Sequence, residues 1–357
     1  MGEAVNISGP RGRIVAYDAL RLFAILTVVA IHTLMPYRDV LPSSAPIRVF
    51  DDLLHYAVPL FVFISGVLVW ARPWKSGPGA YHQFLRRRFV IIGLPYLAWA
   101  ALYAALYVGR AASPASALRQ VPGLVASGHI WYHLYFIPML LTFYLLTPIA
   151  AAALRRSPEL ALAGAYFLRI VCGPPVAHLL ANAHPLAGQY AIHVMSHLPH
   201  MALGAWFALR LDQFPTWFRR AWPAMLVLGT AVLGYLSVFG LPSWPLELQR
   251  LLFPTGMALT VLGLALGAII LEPLYAEEAH AITHLGSLAF GVYFVHPLFL
   301  LAVFTATGGA APGSLWWRPW FPLLVWVGVS ALSLGSSHVL RGSRFTAWLV
   351  GLAPAAR

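Results

Sequence analysis

The sequence predicts an all-α, polytopic integral membrane bundle with about ten transmembrane helices. Three observations carry this expectation. Of the 357 residues, 60% are hydrophobic and only 10% are charged. The mean hydropathy is +0.75. The apolar residues also gather into runs of about 20, the length a helix needs to cross a bilayer. A soluble domain carries about 25% charged residues, so a chain this apolar lacks the polar surface to stay in water.

Ten runs can be read, near 14–35, 53–71, 89–109, 131–154, 159–180, 190–210, 221–240, 251–271, 281–304 and 320–340. The first begins near Ile14 and shows no small-residue cleavage site, so it reads as a retained helix rather than a secretory signal. The fifth is interrupted by Pro174-Pro175 and contains Arg169. A break at membrane depth is tolerated only where protein or water covers the released backbone groups. The connections are short and no repeat of 20–50 residues is evident, so 1–357 reads as one transmembrane domain without a separate soluble domain.

Charge sets the expected orientation. The net charge is +12, yet no nucleic-acid motif or long Lys/Arg block accompanies it. The basic residues instead sit between the apolar runs, where they act as topology signals. With a cytoplasmic N-terminus, fifteen Lys/Arg fall in inside segments, among them Arg11, Arg13, Arg72, Lys75 and Arg357, and six fall outside. Both termini are therefore expected in the cytoplasm. The acidic stretch with Glu272, Glu277 and Glu278 carries little weight, because acidic residues hardly influence orientation. The one cysteine, Cys172, excludes an intrachain disulfide. The Asn6-Ile7-Ser8 sequon falls in the segment placed inside.

Ionisable groups inside a span are costly and therefore functional candidates. The first span has three: Asp18, Arg21 and His32. Eleven steps at about 100° each bring Arg21 and His32 to within roughly 20° of one helix face, and a rise of 1.5 Å per residue separates them by roughly 16 Å. Asp18, three positions before Arg21, can pair with it. The plainer alternative is an Arg21 that snorkels inward, held by Asp18, with an interfacial His32.

Arg21 followed by ten residues and His32 resembles the Arg-x10-His signature of the acyltransferase family 3, a family of membrane-bound, mostly bacterial O-acyltransferases. Pro59-Leu-Phe-Val-Phe-Ile-Ser65-Gly66 resembles the family's Phe-Phe-x-x-Ser-Gly stretch. Trp131-Tyr-His133-Leu-Tyr135 resembles its aromatic motif, and Gly286-Ser287 through Tyr293 to His296-Pro297 resembles its late Ser…Tyr…His segment. Each is weak alone, but four in this order cover nearly the whole chain.

The resemblance implies a multi-pass protein of the bacterial cytoplasmic membrane. It implies acyl-CoA, with acetyl-CoA expected, as a donor substrate rather than a permanent cofactor. It further implies a hydroxyl acceptor on a glycan or lipid-linked sugar, as in O-acetylation of polysaccharides. His32 would be the general base, since a neutral imidazole can take a hydroxyl proton, or a covalent acyl carrier. Arg21, steadied by Asp18, would hold the donor. Arg86, Arg87 and Arg88 could hold its phosphates, or act simply as topology anchors. Ser65-Gly66 reads either as an oxyanion donor or as a small-residue helix contact, and Gly263-x-x-x-Gly267 likewise reads as a contact. Tyr293 and His296, three apart, could orient substrate or pack. Trp131, His133 and Tyr135 could bind a sugar or form an interfacial aromatic belt.

His193, His197 and His200 follow an i, i+4, i+7 spacing that can bind zinc. Pro199 is expected to disturb that helix and no carboxylate or cysteine completes the set, so the expectation is no metal and a polar acceptor pocket. The chain lacks Gly-Lys-Ser/Thr, Gly-x-Ser-x-Gly and His-Glu-x-x-His motifs, which removes nucleotide hydrolysis, a serine triad and zinc peptidase chemistry. The rival classes are a transporter or flippase for a lipid-linked or polysaccharide substrate, and a binding or sensory membrane module. Only the acyltransferase must consume acyl-CoA.

Overall fold

The computed structural model describes residues 15–38, 40–42, 45–71, 79–239, 246–311 and 313–351, with the backbone alone for 246–250. Arg11, Arg13, Arg72, Lys75, Arg357, Ile14, the Asn6-Ile7-Ser8 sequon and the Arg250 side chain lie outside these residues. The described residues form helices and turns, with no strand. Eight helical segments are long and apolar enough to cross a membrane. A ninth arises if the pair Phe136–Leu145 and Thr147–Arg156, bent by 57°, counts as one span. The remaining sequence-predicted run, 190–210, lies in Pro185–Arg210, whose 26 residues are long enough to span; His193, His197 and His200 make it the more polar segment. A polytopic helical bundle is therefore what the chain forms.

Two compact units can be distinguished. The first holds the described residues up to Ile64 together with Gln213–His338. Its helices are α1 (Val15–Leu34), α2 (Pro46–Leu54) and the first part of α3 (Ala57–Trp70). The second holds Ser65–Asp212 and the residues from Val339 onward. It comprises the end of α3, α4 (Ala80–Arg88), α5 (Leu94–Arg110), α6 (Pro114–Ser127), α7 (Phe136–Leu145), α8 (Thr147–Arg156), α9 (Pro158–Phe167), α10 (Gly173–Ala183) and α11 (Pro185–Arg210). The chain then returns to the first unit with α12 (Thr216–Arg220), α13 (Trp222–Phe239), α14 (Leu246–Ile270), α15 (Ala279–Thr307) and most of α16 (Trp320–Gly342).

In the first unit, α1 lies along α15, with α14 and α2 also against it. Membrane helices lack a hydrophobic drive to associate and rely on close backbone approach at small residues. Gly286 on α15 supplies it: a Cβ there would collide with the main chain of α1 at Asp18. The Gly263/Gly267 pair does the same for α14, whose glycines face Leu226 and Trp222 on α13. Trp326 of α16 ties back to α1 by donating its Nε1–H to the Leu26 carbonyl at 2.9 Å.

In the second unit, α11 packs along α10 and α9. A π-helical turn at Leu168–Cys172 joins α9 to α10 just before Gly173-Pro174, so the expected interruption is a π turn rather than a gap. Such turns commonly mark functional or strained positions. Here the turn carries Arg169, which donates to the Ser196 carbonyl on α11. Pro199 does not end its helix; α11 runs through it to Arg210.

Candidate active site

Asp18 is buried on α1 at 1% exposure and accepts from Arg21 Nη1 at 2.7 Å. The Arg21 side chain is 29% exposed, so the pair has one desolvated and one accessible end. Helix α1 is unbroken from Val15 to Leu34, so the one-face relationship of Arg21 and His32, with about 16 Å between them, holds in the fold.

The structure brings His32 and His296 together. His32 Nδ1 and His296 Nε2 are 2.8 Å apart. Their ring centroids are 5.1 Å apart and the planes agree within 2°, so the imidazoles meet edge to edge in one plane. His296 is fully buried, and its Nδ1 lies 2.8 Å from the Val292 carbonyl, four residues earlier on α15. A carbonyl oxygen can only accept, so Nδ1 of His296 carries the proton and Nε2 the lone pair. His32 must then donate from Nδ1. The remaining lone pair of a neutral His32 is placed on Nε2, the form a general base requires.

A second polar group stands near this pair. Arg38 Nε donates to Asp51 Oδ2 at 2.8 Å, and Arg38 Nη2 lies 2.5 Å from His55 Nε2. His55 Nδ1 lies 2.7 Å from the Asp51 carbonyl, so His55 is the Nδ1–H tautomer and accepts from the arginine. Asp51, Asp52 and His55 offer donor atoms within 4.8 Å of one another. The Arg38 guanidinium binds Asp51 Oδ2 and His55, and Asp52 accepts from Ser237 at 2.6 Å, while the buried Asp51 Oδ1 has no partner among the described residues. Sequence reasoning passed over this cluster. The signal was the sequence Asp51-Asp52-x-x-His55, one turn of an apolar-flanked helix.

Tyr293 lies beside His296 in the first unit, buried and packed against Phe290 and Phe294, with ring centroids 6.3 and 4.9 Å away. The other sequence-predicted residues belong to the second unit. Ser65 sits beside Gly66, whose Cα the backbone of Met201, Gly204 and Ala205 approaches too closely for a Cβ. That favours the helix-contact reading of this pair. Arg86 and Arg87 are exposed at the end of α4, whereas Arg88 lies over the Phe84 and Tyr144 rings, 5.2 and 5.0 Å from their centroids.

The aromatic motif forms a chamber of rings. His133 is buried against Tyr103. Tyr135 stacks on His193 with centroids 3.9 Å apart, so one face of that tyrosine is already taken. Among the described residues, Trp131 Nε1, His129 Nδ1 and both nitrogens of the 2%-exposed His200 have no hydrogen-bond partner. His197 Nδ1 is turned back to the His193 carbonyl at 2.8 Å. His184 caps α11 by accepting from Leu186 N at 3.2 Å.

The family model described as an acyltransferase domain, acyltransferase family 3, matches residues 14–341, nearly the whole chain. The chain belongs to this family. No curated protein and no solved structure matches it. Membership makes the protein a membrane acyltransferase and fits its apolar helices. The match includes both α1 with Arg21 and His32 and the part of α15 that delivers His296 to His32.

Proposed function

We propose that the protein is an acyl-CoA-dependent O-acyltransferase of the bacterial cytoplasmic membrane, acting on a hydroxyl of a glycan or lipid-linked sugar with His32 as general base. The observation that carries this reading is the chain Val292 carbonyl, His296, His32, which leaves the basic lone pair on His32 Nε2.

The chemistry follows from that placement. The acceptor hydroxyl oxygen attacks the thioester carbonyl carbon while its proton passes to His32 Nε2. The tetrahedral intermediate collapses with cleavage of the C–S bond. The departing coenzyme A thiolate takes the proton from the imidazolium, giving an ester and free coenzyme A thiol. His296 holds the ring and its tautomer through Nδ1–H of His32, and so supports the imidazolium as it forms. Arg21 is assigned to the donor. Its planar fork suits phosphate or carbonyl oxygens, and Asp18 orients it through Nη1.

The test is donor consumption. Purified protein in nanodiscs should release coenzyme A thiol from acetyl-CoA and esterify an added glycan acceptor. Acetyl-CoA that is neither bound nor consumed with any hydroxyl acceptor would refute the proposal and return the transporter reading.

A further inference from the structure

Helix α1 has a second working face. Ala30 is nine positions from Arg21, half a turn away at about 100° per residue, and it lines a cavity of about 740 Å³ enclosed by α1, α2, α16 and the turn at Leu315–Trp317. Phe23, Leu26, Phe50, Leu54 and Leu323 form much of the wall. Phe23, Phe50 and Leu323 are also exposed large apolar residues, so the cavity opens sideways from spanning helices. Between helices that cross a bilayer, such an opening would face hydrocarbon.

Most polar groups on this wall are committed to other groups, and the Tyr56 hydroxyl lies 3.4 Å from Thr27 Oγ1. Thr27 and Thr33 donate to the Phe23 and Val29 carbonyls at 2.9 and 2.8 Å. Tyr37 donates to the Trp316 carbonyl. The indole N–H of Trp326 goes to Leu26, and that of Trp317 to Ala311 at 2.9 Å. A sugar or the adenine of coenzyme A would find few hydrogen bonds inside, and a hydrocarbon chain matches such a lining best.

One end of the cavity is different. Leu41 and Ile47 line it there, and Arg48 donates to the Leu41 carbonyl at 3.2 Å and to the Arg38 carbonyl. Unlike Arg38, which pairs with Asp51, Arg48 makes no ion pair among the described residues, and its buried Nε has no partner. Asp52 turns instead to Ser237 on α13. A guanidinium with no ion pair among the described residues, and with its buried Nε without a partner, suits an anion on a lipid at the mouth of a hydrocarbon cavity. From Arg48 the polar path continues to the Arg38 carbonyl and, through the Arg38 guanidinium, to His55.

We infer that this cavity and Arg48 bind a phosphate-bearing lipid that anchors the acceptor, with its chain in the cavity, its phosphate at Arg48 and its hydroxyl-bearing head toward His32. The inference rests on the acyl-transfer reading for the acceptor role, but the lipid site stands on the cavity and Arg48.

Native mass spectrometry of the detergent-purified protein tests it, with dodecyl phosphate, dodecanol and inorganic phosphate as probes. Dodecyl phosphate should bind at least about tenfold more tightly than dodecanol, and inorganic phosphate should not bind. Arg48→Gln should erase the difference between the two alkyl probes. Ala30→Phe, or Ala30→Leu if the larger side chain prevents folding, should weaken both. Equal binding of dodecanol and dodecyl phosphate to the wild type would overturn the phosphate site. Displacement of dodecyl phosphate by equimolar phosphatidylglycerol would overturn the anchor role, because the cavity would then hold bulk lipid. Loss of the binding pattern in a protein that still consumes acyl-CoA overturns the lipid site alone. The full pattern in a protein that never consumes acyl-CoA supports the lipid site and overturns the transfer reading.

Discussion

His296 accepts the Nδ1 proton of His32 in the plane of both rings, and its own Nδ1 is committed to the Val292 carbonyl. The hydrogen bond joins residues 264 positions apart, so the tautomer of one helix is set by the backbone of another.

His296 is thereby a positioning residue. His296→Ala should lower kcat about 10- to 100-fold, the usual cost of losing a partner that orients a working histidine, with the KM for acyl-CoA nearly unchanged. His296→Gln, whose carbonyl can still accept from Nδ1, should recover part of the loss. A kcat/KM split in which only KM moves would assign His296 to substrate binding instead.

The closeness of α1 and α15 should be equally sensitive. Gly286→Val places atoms where the main chain at Asp18 already lies. Overpacking of this kind costs about 1–3 kcal/mol and should push His32 away from His296. The expected outcome is a lower Tm with a larger fractional loss of transfer than of donor binding. A variant with wild-type Tm and rate would show that the helices tolerate separation.

Arg21→Ala should weaken acyl-CoA binding, and Arg21→Lys should restore only part of it, since lysine lacks the planar fork. Asp18→Asn should give the milder defect, because it removes only the group that steadies Arg21. Isothermal titration with a non-hydrolysable acyl-CoA analogue reads all three. Unchanged affinity in Arg21→Ala would remove the arginine from the donor site.

Both termini are expected in the cytoplasm. In a Cys172→Ser background, a cysteine probe at position 187 should react with an impermeant reagent from outside, and one at position 76 only from inside. Labelling of both from the same side would reverse or break the proposed topology.

Much of this architecture is legible in the sequence because the bilayer imposes a simple rule: about 20 apolar residues per crossing. The ten runs have helical counterparts, and the hardest to classify from composition is α11, where three histidines interrupt the apolar pattern. Within α1 the spacing of Asp18, Arg21 and His32 alone fixes their relation, since an unbroken helix converts sequence distance into angle and rise. Contacts between distant segments are another matter. Nothing in the spacing of Tyr293 and His296 says that His296 meets His32, because that depends on Gly286 admitting α1. The Arg38–Asp51–His55 network was also hidden. Its members lie in a short helix before α3 and a turn after α1, and only folding closes the distance.

The most direct test of the central claim is His32→Ala, assayed for acyl transfer and, separately, for acyl-CoA binding after its fold has been checked. A general base contributes about 10²–10⁴-fold, and its loss acts only during chemistry. Transfer should therefore fall by at least about a hundredfold while donor affinity stays close to wild type. Transfer at near wild-type rate would contradict the assignment of His32 as the base.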